Sequence, residues 1–166
     1  VEGMEIITHD EEIDKYRRTI IELLLSSHRH DCWNCESNGN CELQNLAYEF
    51  GIEKLHFPIE EEVMPIDDSS EVLLRDLNRC VLCGRCIRSC QEITVQNIIG
   101  FANRGSETTI VAGLNQIYPE TDCVRCGNCV QACPTGAIFE KLARFQGRPC
   151  LLYTSDAADD MQCVDL

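Results

Sequence analysis

The chain has 166 residues, enough for one ordinary domain or two small ones, and only 6% of them are aromatic. With thirteen cysteines in place of a large apolar core, its stability must come heavily from metal binding, and a metal-free form is expected to be largely unfolded. A formal net charge of −14 excludes nucleic acid as a partner, because phosphates demand Lys and Arg, and no apolar run reaches the roughly eighteen residues of a membrane span.

Residues 1–8 read as a short strand. Thr8 followed by Glu11 is a capping-box pattern, and Ile13, Tyr16, Ile20, Ile21 and Leu24 then recur at helical spacing. This predicts an amphipathic helix over 10–27 that delivers His28 and His30 to a loop holding Cys32, Cys35 and Cys41. A second helix is predicted over 42–50, with Leu43, Leu46, Ala47 and Phe50 on its apolar side and Gly51 as its stop. Residues 58–71 carry six acidic side chains and two prolines and read as a solvated linker. Beyond it, 98–101 and 109–112 read as hairpin strands around a turn at Asn103, Arg104, Gly105 and Ser106. The tail from Cys150 resembles a translated sequencing-library adapter, so residues 150–166 are expected to be non-native. Cys150 and Cys163 then drop out of the ligand count.

The other eleven cysteines fall into three clusters, two of which repeat the run Cys-x2-Cys-x2-Cys-x3-Cys 43 residues apart. The first run is Cys80, Cys83, Cys86 and Cys90, and the second is Cys123, Cys126, Cys129 and Cys133. Thiolates this dense line one loop that can wrap a face of a [4Fe–4S] cubane. Structural zinc usually draws on two separated pairs, and nothing in the sequence suggests the secretion that a disulfide framework implies. In two-cluster ferredoxins the fourth cysteine of each run ligates the other cluster. By that rule Cys80, Cys83, Cys86 and Cys133 hold one cubane, and Cys123, Cys126, Cys129 and Cys90 the second. The second run ends in the ferredoxin signature proline, Pro134, whereas the first has Gln91, read as a tolerated departure. Free thiolates and oxygen-sensitive clusters point to a reducing cytoplasm.

His28-x3-Cys32-x2-Cys35-x5-Cys41 offers one imidazole and three thiolates, a complete tetrad for a third cubane. A Cys3His zinc knuckle is the alternative by ligand type, and His30 is the rival imidazole. His9 and His56 read as surface or packing residues. Trp33, between two ligands, is expected to shield the site from water. Arg79, Arg85, Arg88 and Arg125 flank the cysteines and are placed to offset cluster charge or to be solvated.

The three ligand sets, together with Asn38-Gly39-Asn40-Cys41-Glu42-Leu43-Gln44, resemble the amino-terminal iron–sulfur region shared by several complex oxidoreductases. These are the [FeFe]-hydrogenases, the NAD-linked formate dehydrogenase catalytic subunit, the diaphorase iron–sulfur subunit of NAD-reducing [NiFe]-hydrogenases and the large iron–sulfur subunit of complex I. The resemblance spans residues 1–145. It implies that His28 is the fourth ligand of the first cluster and that ligands are exchanged between the runs. Residues 75–86 look most like formate dehydrogenase and [FeFe]-hydrogenase, and residues 110–116 like the diaphorase subunit.

The expected fold is α+β: a helix–loop–helix His/Cys3 module over 9–57, an acidic linker over 58–72 and a two-cluster ferredoxin-like module over 73–145. Residues 1–8 resemble the last strand of a truncated [2Fe–2S] domain. The implied function is an electron relay with three [4Fe–4S] clusters and no catalytic residue of its own. It would work between a flavin-containing NADH-oxidising subunit or a ferredoxin and a catalytic domain missing from this sequence. A complex I fragment, a stand-alone ferredoxin-like carrier and a zinc-stabilised module are the alternatives.

Overall fold

The computed structural model describes residues 3, 5–59, 63–114 and 117–144; the expected non-native tail, with Cys150 and Cys163, lies outside them. Helix α1 spans Glu11–Ser26. Its cap is Asp10 rather than Thr8: the Asp10 backbone is extended and its carboxylate accepts the Glu12 N–H at 3.4 Å. Glu11, Glu12 and Asp14 add negative charge to the positive end of the helix dipole. Among the described residues the C-terminal half of α1 supplies its apolar contacts. Ile21 is buried there with Leu24 and Leu25 against Leu43 and Phe50, while Tyr16 and Ile20 of the expected apolar stripe remain exposed.

Helix α2 spans Glu42–Glu49, and Gly51 ends it in the left-handed region at φ +60, as a helix stop requires. Arg18 crosses back from α1 and donates to the Phe50 carbonyl at 2.6 Å, satisfying one of the open acceptors at that helix end. Residues 5–8, expected within a strand, form none, and Ile6 and Ile7 lie exposed; Val1, Glu2 and Met4 lie outside the described residues.

The stretch after Val63 is less free than a solvated linker. Asp67 exchanges two backbone hydrogen bonds with Arg75, at 2.9 and 3.0 Å, and pairs with its guanidinium at 2.7 Å. The Asn78 amide grips the Met64 backbone from both sides, at 2.7 and 2.8 Å. Acidic composition suggested solvation, but Asp67 has a buried arginine to neutralise.

From Leu73 onward the fold is mixed, with short helices and two small sheets. Strand β1 (Leu73–Arg75) pairs antiparallel with β4 (Ile138–Glu140), Leu74 opposite Phe139, so the two ends of this region close on each other. Strands β2 (Ile99–Ala102) and β3 (Thr109–Ala112) form the hairpin read from the sequence. Helices α3 (Arg85–Arg88) and α4 (Asn128–Ala132) pack together, and α3 runs on into a π-turn over Ser89–Ile93. Leu73, Ile87, Ile99, Ile110, Ala112, Tyr118 and Ile138 form the core together with Cys86 and Cys129. Two-stranded sheets are marginal alone, so this core leans on the cysteine-bearing loops between them.

Leu74 is fully buried at 0% exposure, whereas Leu114 is 94% exposed. Leu74→Ala is expected to destabilise the metal-loaded chain by about 2–5 kcal/mol, seen as a lower melting temperature, and Leu114→Ala to leave it unchanged.

Candidate metal centres

The first centre is built where α1 ends. His28 is buried, and its Nδ1 lies 2.8 Å from the Arg29 carbonyl oxygen. A carbonyl can only accept, so Nδ1 carries the proton and the lone pair is left on Nε2. That Nε2 is buried, and among the described residues it has no hydrogen-bond partner. Burial is the main cause lowering the His28 pKa, which favours the neutral ring that a metal ligand needs. The cavity it lines is shared with Cys32, Cys35 and Cys41. His30, the rival, is exposed, and its Nε2 is occupied by the Leu25 carbonyl at 2.7 Å.

A single 3-10 turn over Cys32–Asn34, closed by Cys35 N–H on the Cys32 carbonyl at 3.1 Å, carries the first two thiols of this loop. Trp33 lines the same cavity and is itself 93% exposed, so it borders the site from the solvent side rather than from a packed interior. His9 is exposed beside Arg17, and His56 forms a 2.8 Å contact with Glu22, a buried carboxylate the helical pattern did not reveal.

The two repeated runs fold alike. Leu82 and Arg125, each just before the second cysteine of its run, are left-handed at φ +52 and +55. Gly84 and Gly127, just after it, are left-handed at φ +70 and +78 and start α3 and α4. These reversals wrap each loop around a cavity before the helix carries the third cysteine inward. One cavity is lined by Cys80, Cys83, Cys86 and Cys133, with Leu77, Ile110 and Ile138. The other is lined by Cys123, Cys126, Cys129 and Cys90, with Leu73, Ile98 and Ile99. Among the described residues, no three acidic, His or Cys side chains converge closely enough to hold a single ion; the thiols surround cavities instead.

Burial, reinforced by neighbouring thiols, pushes Cys86 up to about 12 and Cys129 up to about 11, and raises Cys80 as well. Iron bound by Cys80, Cys86 and Cys129 would displace their protons, its positive charge making thiolates stable there. Cys126 goes the other way: the Thr94 hydroxyl, 3.5 Å from its sulfur, is the main cause lowering it. Leu82 N–H likewise reaches the Cys80 sulfur at 3.4 Å.

The first centre is docked against the second. Glu42 N–H donates to the Pro134 carbonyl at 2.9 Å, Arg29 N–H to the Asn78 carbonyl at 2.9 Å, and Arg85 forks onto the Glu42 carboxylate, 2.7 Å at the longer contact. Arg79 is buried among Asp31, Glu36 and Asp76, whereas Arg85 and Arg125 are exposed with carboxylate partners and Arg88 is exposed. Gly136 was missed by sequence reasoning: a Cβ there would lie 2.6 Å from the Cys35 sulfur. Nothing local in the sequence marks this approach between residues a hundred positions apart.

Cysteine-lined cavities on a repeated loop–helix unit, beside a buried histidine with a free lone pair, define an iron–sulfur protein with a ferredoxin-like domain. Residues 17–56 match the NADH-ubiquinone oxidoreductase-G iron-sulfur binding region, and residues 70–139 match the NADH-quinone oxidoreductase subunit 3 ferredoxin-like domain. The NADP-reducing hydrogenase subunit HndD of Solidesulfovibrio fructosivorans is 35% identical over 139 residues, which are 84% of this chain and 24% of that protein. The NADPH-Fe(3+) oxidoreductase subunit alpha of Geobacter sulfurreducens is 36% identical over 154 residues, 93% of this chain and 18% of that protein. A crystal structure of an NAD+-reducing [NiFe]-hydrogenase in the H2-reduced state superposes with a TM-score of 0.78 at 31% identity, covering 87% of this chain and 62% of its counterpart. The chain is thus an electron-transferring iron–sulfur region of the kind shared by NAD(P)-linked hydrogenases and complex I-type oxidoreductases. It spans about a quarter or less of the length of these curated relatives. No helix among the described residues is long and apolar enough to cross a membrane.

Since a Cβ at Gly136 would collide with the Cys35 sulfur, Gly136→Ala is expected to lower the iron bound per chain. Metal analysis after anaerobic reconstitution checks it, and unchanged iron would show that the first loop shifts without losing its ligand.

Proposed function

We propose that this chain is an electron relay carrying three [4Fe–4S] clusters. The first is held by His28, Cys32, Cys35 and Cys41. The second is held by Cys80, Cys83, Cys86 and Cys133, and the third by Cys123, Cys126, Cys129 and Cys90. The observation that carries this reading is the crossing of the fourth cysteines: Cys133 lines the cavity of the first run and Cys90 that of the second. The partnerless, buried Nε2 of His28 supports the histidine ligand.

In this reading residues 9–57 form the His/Cys3 module and residues 73–145 the two-cluster module, with residues 58–72 connecting them. Bound clusters supply one-electron transfer, and the chain itself fixes their spacing, burial and hydrogen bonding. The Arg29 carbonyl orients the His28 ring so that Nε2 faces the cavity. A neutral imidazole in place of thiolate leaves the first site about one unit less negative than an all-cysteine site. The names of the relatives suggest an NAD(P)-linked oxidoreductase, with electrons passing between a flavin-containing NADH-oxidising subunit or a ferredoxin and a catalytic centre elsewhere.

Anaerobic reconstitution is expected to load about twelve irons per chain, as three cubanes require. About eight irons with one zinc would reassign the His28 loop to a zinc knuckle. His28→Cys should keep its cubane but lower its potential in measurements followed by electron paramagnetic resonance, while His30→Cys leaves every signal in place. A shift seen only with the His30 variant would overturn the ligand assignment.

A further inference from the structure

We infer that Arg79 is a positioning residue that locks the first cluster site onto the second and raises the potential of the first. The inference rests on the ligand sets proposed above. Arg79 closes the 3-10 turn over Leu77–Arg79 and directly precedes Cys80. Its side chain is only 6% exposed, and its guanidinium faces three carboxylates. Nη1 donates to Glu36 Oε2 at 2.8 Å, Nη2 donates to Asp31 Oδ2 at 2.9 Å, and Nε lies 3.4 Å from Asp76 Oδ2.

Two of those carboxylates bracket the ligand turn of the first site, since Asp31 immediately precedes Cys32 and Glu36 immediately follows Cys35. One planar fork therefore holds both ends of the Cys32–Cys35 segment, a task that the point charge of lysine performs less well. The same residue reaches the second site through its backbone, whose carbonyl accepts the Thr135 hydroxyl at 2.7 Å, two residues beyond Cys133. Its side-chain stem and the Cys35 sulfur also converge on one spot, the face of Gly136. Arg79 thus grips its own ligand neighbour, the segment that carries Cys133, and the first ligand loop.

The charges around it give the position an electronic consequence. Arg29 assists from the surface, 3.0 Å from Asp31 and 4.0 Å from Asp76, but it is half-exposed and screened by water. Arg79 is the buried cation opposite Asp31 and Glu36. Reduction adds one negative charge to a cluster, so a neighbouring cation favours the reduced state and an uncompensated carboxylate opposes it. Neutralising Arg79 exposes the first site to two unbalanced anions, whereas neutralising Glu36 leaves it a less balanced cation. These two substitutions break the same contact with opposite electrostatic sign.

The test uses the reconstituted full chain, with potentials measured through electron paramagnetic resonance and the first-site signal identified as the one that moves in the His28→Cys chain. Arg79→Gln is expected to shift that signal's potential downward and Glu36→Gln to shift it upward, with Arg79→Lys returning it most of the way. If Arg79→Gln does not load iron, Arg79→Lys replaces it: it loosens the same fork but keeps the charge, and is expected to leave the signal near its original potential while Glu36→Gln shifts it upward, equal shifts in the two overturning the inference. Loosening of the docked loop alone would move the Arg79 and Glu36 variants in the same direction, and that result, or no movement in either, overturns the inference. A chain in which His28→Cys moves no signal sinks the ligand reading itself.

Discussion

A buried thiol keeps its proton until a positive charge draws it off, and a cavity lined with four thiols gains little until that happens. Cys86 and Cys129 illustrate the constraint: both are buried in the core of the ferredoxin-like region, beside Leu73, Ile99 and Ile110, where other domains put aliphatic side chains. Burial pushes the pKa of both thiols up, because the protein interior resists a bare thiolate. The surrounding structure is too slight to pay this cost by itself, with two two-stranded sheets and helices of four and five residues. Iron–sulfide groups held at the proposed sites would resolve both problems together, offsetting the thiolate charge and tying distant loops to one rigid body.

That tie works because each cavity draws on both halves of the repeat. Cys133 lies 43 residues beyond Cys90 and lines the cavity opposite to its own run, so neither half is complete alone. Pairing of β1 with β4 repeats the logic at backbone level, joining the first strand of the region to its last. The His/Cys3 loop is added to this closed unit through backbone bonds from Glu42 and Arg29, ion pairs at Arg79 and Arg85, and the bare face of Gly136. Spacing between the His28 cavity and the two four-cysteine cavities is thereby set by the interior of the protein rather than by a flexible linker.

Spacing between like residues is what the sequence displayed most clearly. The repeated cysteine runs, the hairpin over residues 98–112 and the helix ending at Gly51 each depend on contacts within a few residues, and each was readable. Features that depend on what the other module presents were not. The apolar stripe of α1 included Tyr16 and Ile20 because periodicity marks a face, but only a packed neighbour decides how much of that face is covered. Asp68 and Glu71 are exposed as the acidic pattern suggested, but the pattern could not show that Asp67 would meet Arg75. Trp33 borders the cavity of Cys32 and Cys35 as its place between them suggested, but the pattern could not show that no neighbour would cover it and that it would stay 93% exposed.

The departure of Gln91 from the signature proline shows how one residue can distinguish two otherwise matching sites. Pro134 has no N–H and disfavours a helical conformation in the residue before it, so Cys133 is extended at φ −73 and ψ 121 and α4 stops. The chain then leaves directly into β4. Gln91 imposes no such stop, and α3 widens into a π-turn in which Thr94 N–H bonds to the Ser89 carbonyl at 3.2 Å. That extra turn brings the Thr94 hydroxyl to the Cys126 sulfur, and Asn128 completes the chain by donating to Thr94 at 3.0 Å. A hydroxyl hydrogen bond withdraws electron density from a thiolate, and hydrogen bonds to sulfur are among the factors that set cluster potential. In the other cavity the Thr135 hydroxyl is 3.8 Å from the Cys133 sulfur and donates to the Arg79 carbonyl at 2.7 Å. The two runs thus differ after their fourth cysteine both in backbone, a π-turn against a stop, and in hydroxyl contact, Thr94 lying 3.5 Å from the Cys126 sulfur while Thr135 bonds to the Arg79 carbonyl.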